Sequence, residues 1–285
     1  CKVRHLDRSG FAAARAAAVQ ADAVVLVLGG SSTKYGTTMR RTDTGAAEVP
    51  AILGADDWDK ESGEGTDRAT LTQSGVQLEL FRELCKTGKP VIVVLIQGRP
   101  LEVNEYLDQA AAVLMAWYPG MFGGLAVAEA LLGEYNPGGR LPVSVPRHPG
   151  QLPVFYNHTT WNCARADYVD MSGAPRLLFG YGLSYTTFAY SNLTIDDRTV
   201  SVTVHNTGAR DGDEVVQCYL TDLKAMIVRP VIELAAFERI HLRAGETARV
   251  SLELGDEVLG YYDATLQFRV EPGVFKIRVG GSLAS

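Results

Sequence analysis

Gly88-Lys89-Pro90-Val91-Ile92-Val93-Val94-Leu95-Ile96-Gln97-Gly98-Arg99-Pro100 decides the fold of the first half of this chain. An unbroken apolar run, Val91 to Ile96, lies between two Gly/Pro-bearing turns. Such a run reads as a strand covered on both faces, as in a parallel sheet flanked by helices. Just upstream, Ser74-Gly75-Val76-Gln77 reads as a capping box opening a helix. That helix is expected to bury Val76, Leu80, Phe81 and Leu84 and to stop near Gly88. Further upstream an alanine-rich helix former over 11–21 precedes a second buried run, Val24 to Leu28. Downstream, Ala111 to Ala116 predicts a third strand, followed by a helix carrying Leu125, Ala128 and Leu132 that ends at Gly133. Strand–helix alternation with apolar strands predicts a mainly parallel α/β sandwich.

Each apolar strand runs into a glycine-bearing turn: Gly29-Gly30, Gly98-Arg99-Pro100 and Trp117-Tyr118-Pro119-Gly120. In an open parallel sheet these turns gather at the carboxyl edge, where ligands bind. The segment from Gly30 to Ser74 is far longer than the about 12–15 residues beyond which connections are usually functional or disordered. It contains Lys60-Glu61-Ser62-Gly63-Glu64-Gly65-Thr66-Asp67-Arg68. Glycines on either side of Glu64 leave room for a ligand beside the backbone. Two readings stand: an exposed functional acid, and a solvated acidic turn. Trp117 reads as either core or platform, and Arg68 as a partner of Asp67 or as a residue that holds the loop.

Past Pro146 the periodicity fades into a Pro-, Gly- and Tyr-punctuated connector, whose aromatic residues predict a packed tether. From Asn192 the period becomes two: Val200, Val202, Val204; Val216, Cys218, Leu220; Val250, Leu252, Leu254; Phe275, Ile277, Val279. Turns at Asn206-Thr207-Gly208, Arg210-Asp211-Gly212, Ala244-Gly245-Glu246 and Glu271-Pro272-Gly273 separate these runs. Short alternating strands at this spacing predict an antiparallel β-sandwich of immunoglobulin or fibronectin type III kind. The expected division is 1–150 for the α/β domain, 151–190 for the linker and 191–285 for the sandwich.

A net charge of −6 over 285 residues argues against nucleic acid or an anionic membrane as the main partner. No apolar run approaches the roughly 18 residues of a membrane span. Cys1, Cys85, Cys163 and Cys218 show no CxxC spacing and the five histidines do not join them, so no zinc site or other cofactor is expected. Asn157 and Asn192 begin N-x-[ST] sequons that matter only in a glycosylating host. The chain opens Cys1-Lys2-Val3, which reads as a piece or processed product of something longer, so secreted, periplasmic and cytoplasmic locations all stay open.

Several motifs in order resemble the C-terminal half of glycoside hydrolase family 3, the β-glucosidases and β-xylosidases. They are Gly63-Glu64-Gly65-Thr66-Asp67-Arg68, Gly88-Lys89-Pro90-Val91 through Gly98-Arg99-Pro100, and Ala116-Trp117-Tyr118-Pro119-Gly120. They continue with Gly133-Glu134-Tyr135-Asn136-Pro137-Gly138-Gly139-Arg140-Leu141-Pro142, Phe179-Gly180-Tyr181-Gly182-Leu183-Ser184-Tyr185-Thr186, and Asp211-Gly212-Asp213-Glu214-Val215-Val216-Gln217. The resemblance implies an α/β sandwich domain and a fibronectin type III-like domain. It implies a partner too: an N-terminal (β/α) barrel, in cis or as a separate chain, carrying an aspartate nucleophile that this chain does not match. It assigns Glu64 as the acid/base and a β-linked oligosaccharide or glycoside as substrate, and leaves room for an oligomer. Arg68, Lys34 and Tyr35, with Arg40 and Arg41, become candidates to line the substrate site. Residues 72–75 read Thr-Gln-Ser-Gly where relatives often carry Leu-Pro, a local difference before the helix. The competing reading is a non-catalytic carbohydrate-binding or structural module. A nucleotide binder built on Gly29-Gly30-Ser31-Ser32 is weaker, since neither GxGxxG nor a Walker sequence opens a helix there.

Overall fold

The apolar run Val91–Ile96 is the middle strand of a three-stranded parallel sheet. The structure, a computed structural model, describes residues 7–30, 40–41, 44, 47–48, 68–159 and 167–283. In chain order the first part contains α1 (Phe11–Gln20), β1 (Val24–Gly29), a short antiparallel pair β2 (Arg40–Arg41) and β3 (Ala47–Glu48), and α2 (Gln77–Cys85). It continues with β4 (Val91–Ile96), α3 (Asn104–Gln109), β5 (Ala112–Met115) and α4 (Gly123–Leu132). The sheet order is β1-β4-β5, with Val24 opposite Val91 and Ile92 opposite Ala112.

Burial follows strand position. Val93, Val94 and Leu95 in β4 are almost wholly inaccessible, as a central strand covered on both faces requires. On β1 only Leu26 and Leu28 are buried, while Val25 and Val27 are exposed. That run therefore does not mark two-sided cover: β1 lies at the sheet's edge, among the described residues, and buries one face. Helix α2 turns Leu80, Phe81 and Leu84 inward, with the Phe81 ring edge-on to Tyr106 at 4.8 Å. In α4, Leu125 and Leu132 are exposed and Ala130 is buried.

The start of α2 differs from a capping box. Val76 occupies the N-cap without a side-chain cap bond. Gln77 instead spends its carboxamide on the end of β1. Its Oε1 accepts from Gly29 N at 2.8 Å, and its Nε2 donates to Gly29 O at 2.9 Å. The same Nε2 lies 3.2 Å from Ser74 O. Gly29 is held at φ +147°, and a Cβ there would sit 1.7 Å from Ile96 O, so only glycine fits.

The later part is a sandwich of two antiparallel sheets. One has the order β10-β7-β6 and the other β13-β8-β9. These strands are β6 (Phe188–Asp196), β7 (Thr199–Asn206), β8 (Gly212–Asp222), β9 (Glu233–Leu242), β10 (Thr247–Glu253) and β13 (Phe275–Gly280). A one-turn helix α5 (Asp256–Leu259) and the pair β11 (Tyr261–Tyr262) and β12 (Phe268–Arg269) intervene before β13. Val200, Val202 and Val204 meet Val216, Cys218, Leu220, Val250, Leu252 and Leu254 in one core.

The described residues fall into two compact units. One comprises residues up to Gly124 with Arg147–Gly150; the other comprises Leu125–Pro146 with Gln151 onward. Residues 133–146 join the second unit for a visible reason. Leu141 exchanges backbone bonds with Gly180 and Tyr181, and Val145 with Arg176 and Leu177. Asn136 Oδ1 accepts from Ser184 Oγ and Tyr185 N, and its Nδ2 donates to Asp211 O. Arg140, nine-tenths buried, pairs with buried Glu214 and donates to Gly281 O. Tyr156 stacks on Phe179 at 4.0 Å, and both meet Tyr219 edge-on. Tyr156 and Phe179 of the tether are thus packed, while Phe155, Tyr168 and Tyr185 stay exposed.

Gln77→Met should cost roughly 1–3 kcal/mol for each Gly29 backbone group it leaves unpaired, read as a fall in the urea midpoint of unfolding. A loss below about 0.5 kcal/mol would mean that the strand end does not need this clamp.

Burial pushes the Cys218 thiol up to about 11. It raises the Tyr219 phenol as well, and that of Tyr190, where Glu214 adds to the effect. Unfolded thiols and phenols ionise near about 8.5 and 10. The unfolded chain therefore releases these protons first, and stability falls as pH rises. Urea midpoints should hold up to about pH 8 and decline between about pH 8.5 and 11, steepening above 10. A midpoint that is flat from pH 7.5 to 10.5 would contradict the burial of these groups.

Candidate functional site at the strand-end edge

The carboxyl ends of β1, β4 and β5 bring Gly29-Gly30, Gln97-Gly98 and Trp117-Tyr118 to one edge of the parallel sheet. Ladder-like bonds continue past the strands: Gly30 N donates to Ile96 O at 3.0 Å and Gln97 N to Trp117 O at 3.2 Å. Beneath them lies a buried amide pair. Gln73 Nε2 donates to Gln97 Oε1 at 3.1 Å. Gln73 follows Thr72, whose carbonyl accepts from Arg68 Nη2 at 2.6 Å. The described backbone on both sides of residues 31–67 thus meets the sheet's edge, Gly29 held by Gln77 and Gln73 bonded to Gln97.

Of the residues singled out in sequence, Glu64, Lys34 and Tyr35 lie outside the described residues. Arg68 is described: it is half-buried and turns a guanidinium nitrogen to its own segment at Thr72. Arg40 and Arg41 form β2, opposite Glu48 and Ala47. Sequence reasoning missed Gln73 and Gln97, the pair that braces this edge. The signal was slight: a glutamine directly after the apolar run of β4.

A cleft of about 80 Å³ nearby is lined by Thr72, Gln73, Leu78, Glu102, Asn104, Glu105 and Tyr106. Ligand pockets run to about 300–1,000 Å³, so this cleft is too small to enclose a sugar. Burial raises the Glu102 carboxyl above its ordinary value, with His148 opposing. Glu105 is instead held below its ordinary value by its hydrogen bond to Arg82, against the cost of burial. Among the described residues no group of three His, Cys, Asp or Glu could hold a metal ion, and no helix is long and apolar enough to cross a membrane.

A family model of the glycosyl hydrolase family 3 C-terminal domain matches residues 4–185, and one of a fibronectin type III-like domain matches 214–283. A β-xylosidase from Formosa agariphila is 41% identical over 292 residues, covering 99% of this chain and 37% of that protein. A periplasmic β-glucosidase from Salmonella typhimurium is 40% identical, over 76% of this chain and 31% of that protein. The crystal structure of a Listeria innocua β-glucosidase in complex with glucose superposes with a TM-score of 0.80 at 33% identity. It covers 98% of this chain and 38% of that one. The chain therefore spans about a third of the length of such relatives. With the parallel sheet, the packed connector and the sandwich in the order these comparisons require, the chain belongs to glycosyl hydrolase family 3, in its C-terminal and fibronectin type III-like domains.

Proposed function

We propose that this chain supplies the general acid/base, Glu64, of a retaining, exo-acting β-glycosidase. The substrate is a terminal β-linked glucoside or xyloside, and the nucleophile sits on an N-terminal barrel outside this chain. The observation that carries the reading is family membership together with a Gly-Glu-Gly-Thr-Asp-Arg motif at 63–68. That motif lies between Gly29, held by Gln77, and Gln73, bonded to Gln97, both at the sheet edge where ligands gather. The names of the relatives, β-xylosidases and β-glucosidases, support the substrate class.

The chemistry divides between two carboxyl groups about 5–5.5 Å apart. One attacks the anomeric carbon. The other protonates the departing oxygen and then, as a base, takes a proton from the water that releases the sugar. The acid must keep its proton near neutrality, which needs burial or a neighbouring carboxylate. Docking against a barrel that holds the anionic nucleophile gives Glu64 both. By itself this chain lacks the nucleophile and is inactive. Arg68, Lys34 and Tyr35 would line the leaving-group side, and a division at 1–150, 151–190 and 191–285 would leave the acid and the sandwich on separate domains.

In the enzyme that carries this chain, Glu64→Ala should cost disaccharides the about 10²–10⁴-fold that general acid catalysis is worth. Aryl glycosides with good leaving groups should lose far less, and azide should restore part of their turnover by attacking the glycosyl-enzyme. Equal losses on good and poor leaving groups would sink the assignment of Glu64 and point to Glu61 or Asp67. Near-normal kinetics on every substrate would favour the solvated turn.

A further inference from the structure

We infer that the end of the sandwich built from the β8–β9 loop and the β11–β12 hairpin is the face through which two copies of this protein associate about a twofold axis.

The first observation is what that end exposes. Leu223 and Met226 lie in the loop after β8, Tyr262, Leu266 and Phe268 on the hairpin, and Val274 just before β13. Each is between 43% and 83% exposed. Single exposed apolar side chains are ordinary. Six gathered at one end of a small domain are not, and such patches mark association sites.

The second observation is how these segments are held together. Leu223 N donates to Val274 O at 3.2 Å. Arg229, nine-tenths buried, reaches from the same loop to donate to Gly260 O at 2.9 Å and Val258 O at 3.0 Å. Its guanidinium lies 5.6 Å from the centre of the Tyr261 ring. Tyr262 and Phe268 face each other across the hairpin, their ring centroids 5.3 Å apart. Asp263 closes the turn, accepting from Thr265 N, Thr265 Oγ1 and Gln267 N. The loops are therefore set in advance, and little ordering is lost when the patch is covered.

Size and charge favour a second copy as the cover. Aromatic side chains carry about 150–250 Å² each, so six large apolar residues at these exposures offer on the order of 700 Å², near the about 800 Å² per partner of a standard interface. The charges interleaved in these segments are of both signs: Asp222, Lys224 and Glu271, with Arg269 paired to Asp263 at 2.5 Å. A twofold axis sets such a patch on its own copy and can bring Lys224 opposite an acid. A nucleic acid or an anionic lipid surface would call for positive charge instead.

The test uses the whole enzyme that carries this chain. Light scattering after size-exclusion chromatography should give twice the protomer mass at micromolar concentration. Met226→Lys and Leu266→Lys each bring an unpaired charge into the apolar centre, and should raise the dimer Kd by about tenfold or more at unchanged Tm. Hydroxyl-radical footprinting supplies a readout free of mutation. Oxidation of Met226 should be slow in the wild-type dimer and quicken as dilution releases the monomer. A wild-type enzyme that stays monomeric would overturn the proposal, as would a dimer that both substitutions leave intact. Met226 protected equally at every dilution would overturn it too, because the rest of the same polypeptide would then cover the patch. Met226 equally reactive in dimer and monomer would do the same.

Discussion

Backbone N–H and C=O groups that leave regular structure inside a packed molecule must find partners, and in this chain side-chain amides and guanidinium groups supply them. Gln77 takes both polar groups of Gly29. Asn136 binds the 184–185 and 211 segments together. Asn206, wholly buried, accepts from Thr186 and Gly208 and donates to the carbonyls of Arg210 and Leu242. Gln217 holds Gly180 O and Gly281 O while Tyr219 donates to its other end. Each grips at least one backbone group far away in sequence, and the irregular segments keep their paths because these grips exist. Net, such bonds add little stability each; leaving them unmade is what costs.

The buried ion pair of Arg140 and Glu214 fits the same pattern. Arg140 also donates to the carbonyls of Gly138, Gly139 and Gly281, and Tyr190 donates to Glu214 at 2.7 Å. A buried pair with its remaining hydrogen-bonding capacity satisfied is weak evidence for stability, but removing one partner strands the other. Its evident effect is to fix the 136–140 turn on β8, while the bond to Gly281 O ties it to the end of β13. Residues 136–140 are thereby a structural part of the second unit.

Periodicity made the regular elements legible. Val91–Ile96 coincides with β4, and the alternating residues of β7 and β8 form the sandwich core as read. Apolarity says nothing of how many faces are covered, so Val24 to Leu28 looked like β4 although Val25 and Val27 are exposed. Leu125 and Leu132 were legible as helical but not by which face is buried. Ser74 and Gln77 have capping-box spacing, yet the pull of Gly29's unpaired groups decided what Gln77 does. Asn206-Thr207-Gly208 was legible as a turn, whereas the bonds of Asn206 to Thr186 and Leu242 depend on segments far away in sequence. The same holds at the site: the motif at 63–68 draws attention to Glu64 by sequence alone, while the Gln73–Gln97 brace exists only once the segment before α2 lies beside the end of β4.

The central claim is the division of labour, with the acid/base on this chain and the nucleophile elsewhere. It is tested most directly by trapping the covalent intermediate in the whole enzyme with an activated 2-deoxy-2-fluoro β-glycoside and locating the labelled peptide by mass spectrometry. The account predicts a glycosyl ester on a carboxylate outside residues 1–285, with Glu64 unlabelled. A label on Glu64, or on any carboxylate of this chain, would contradict it.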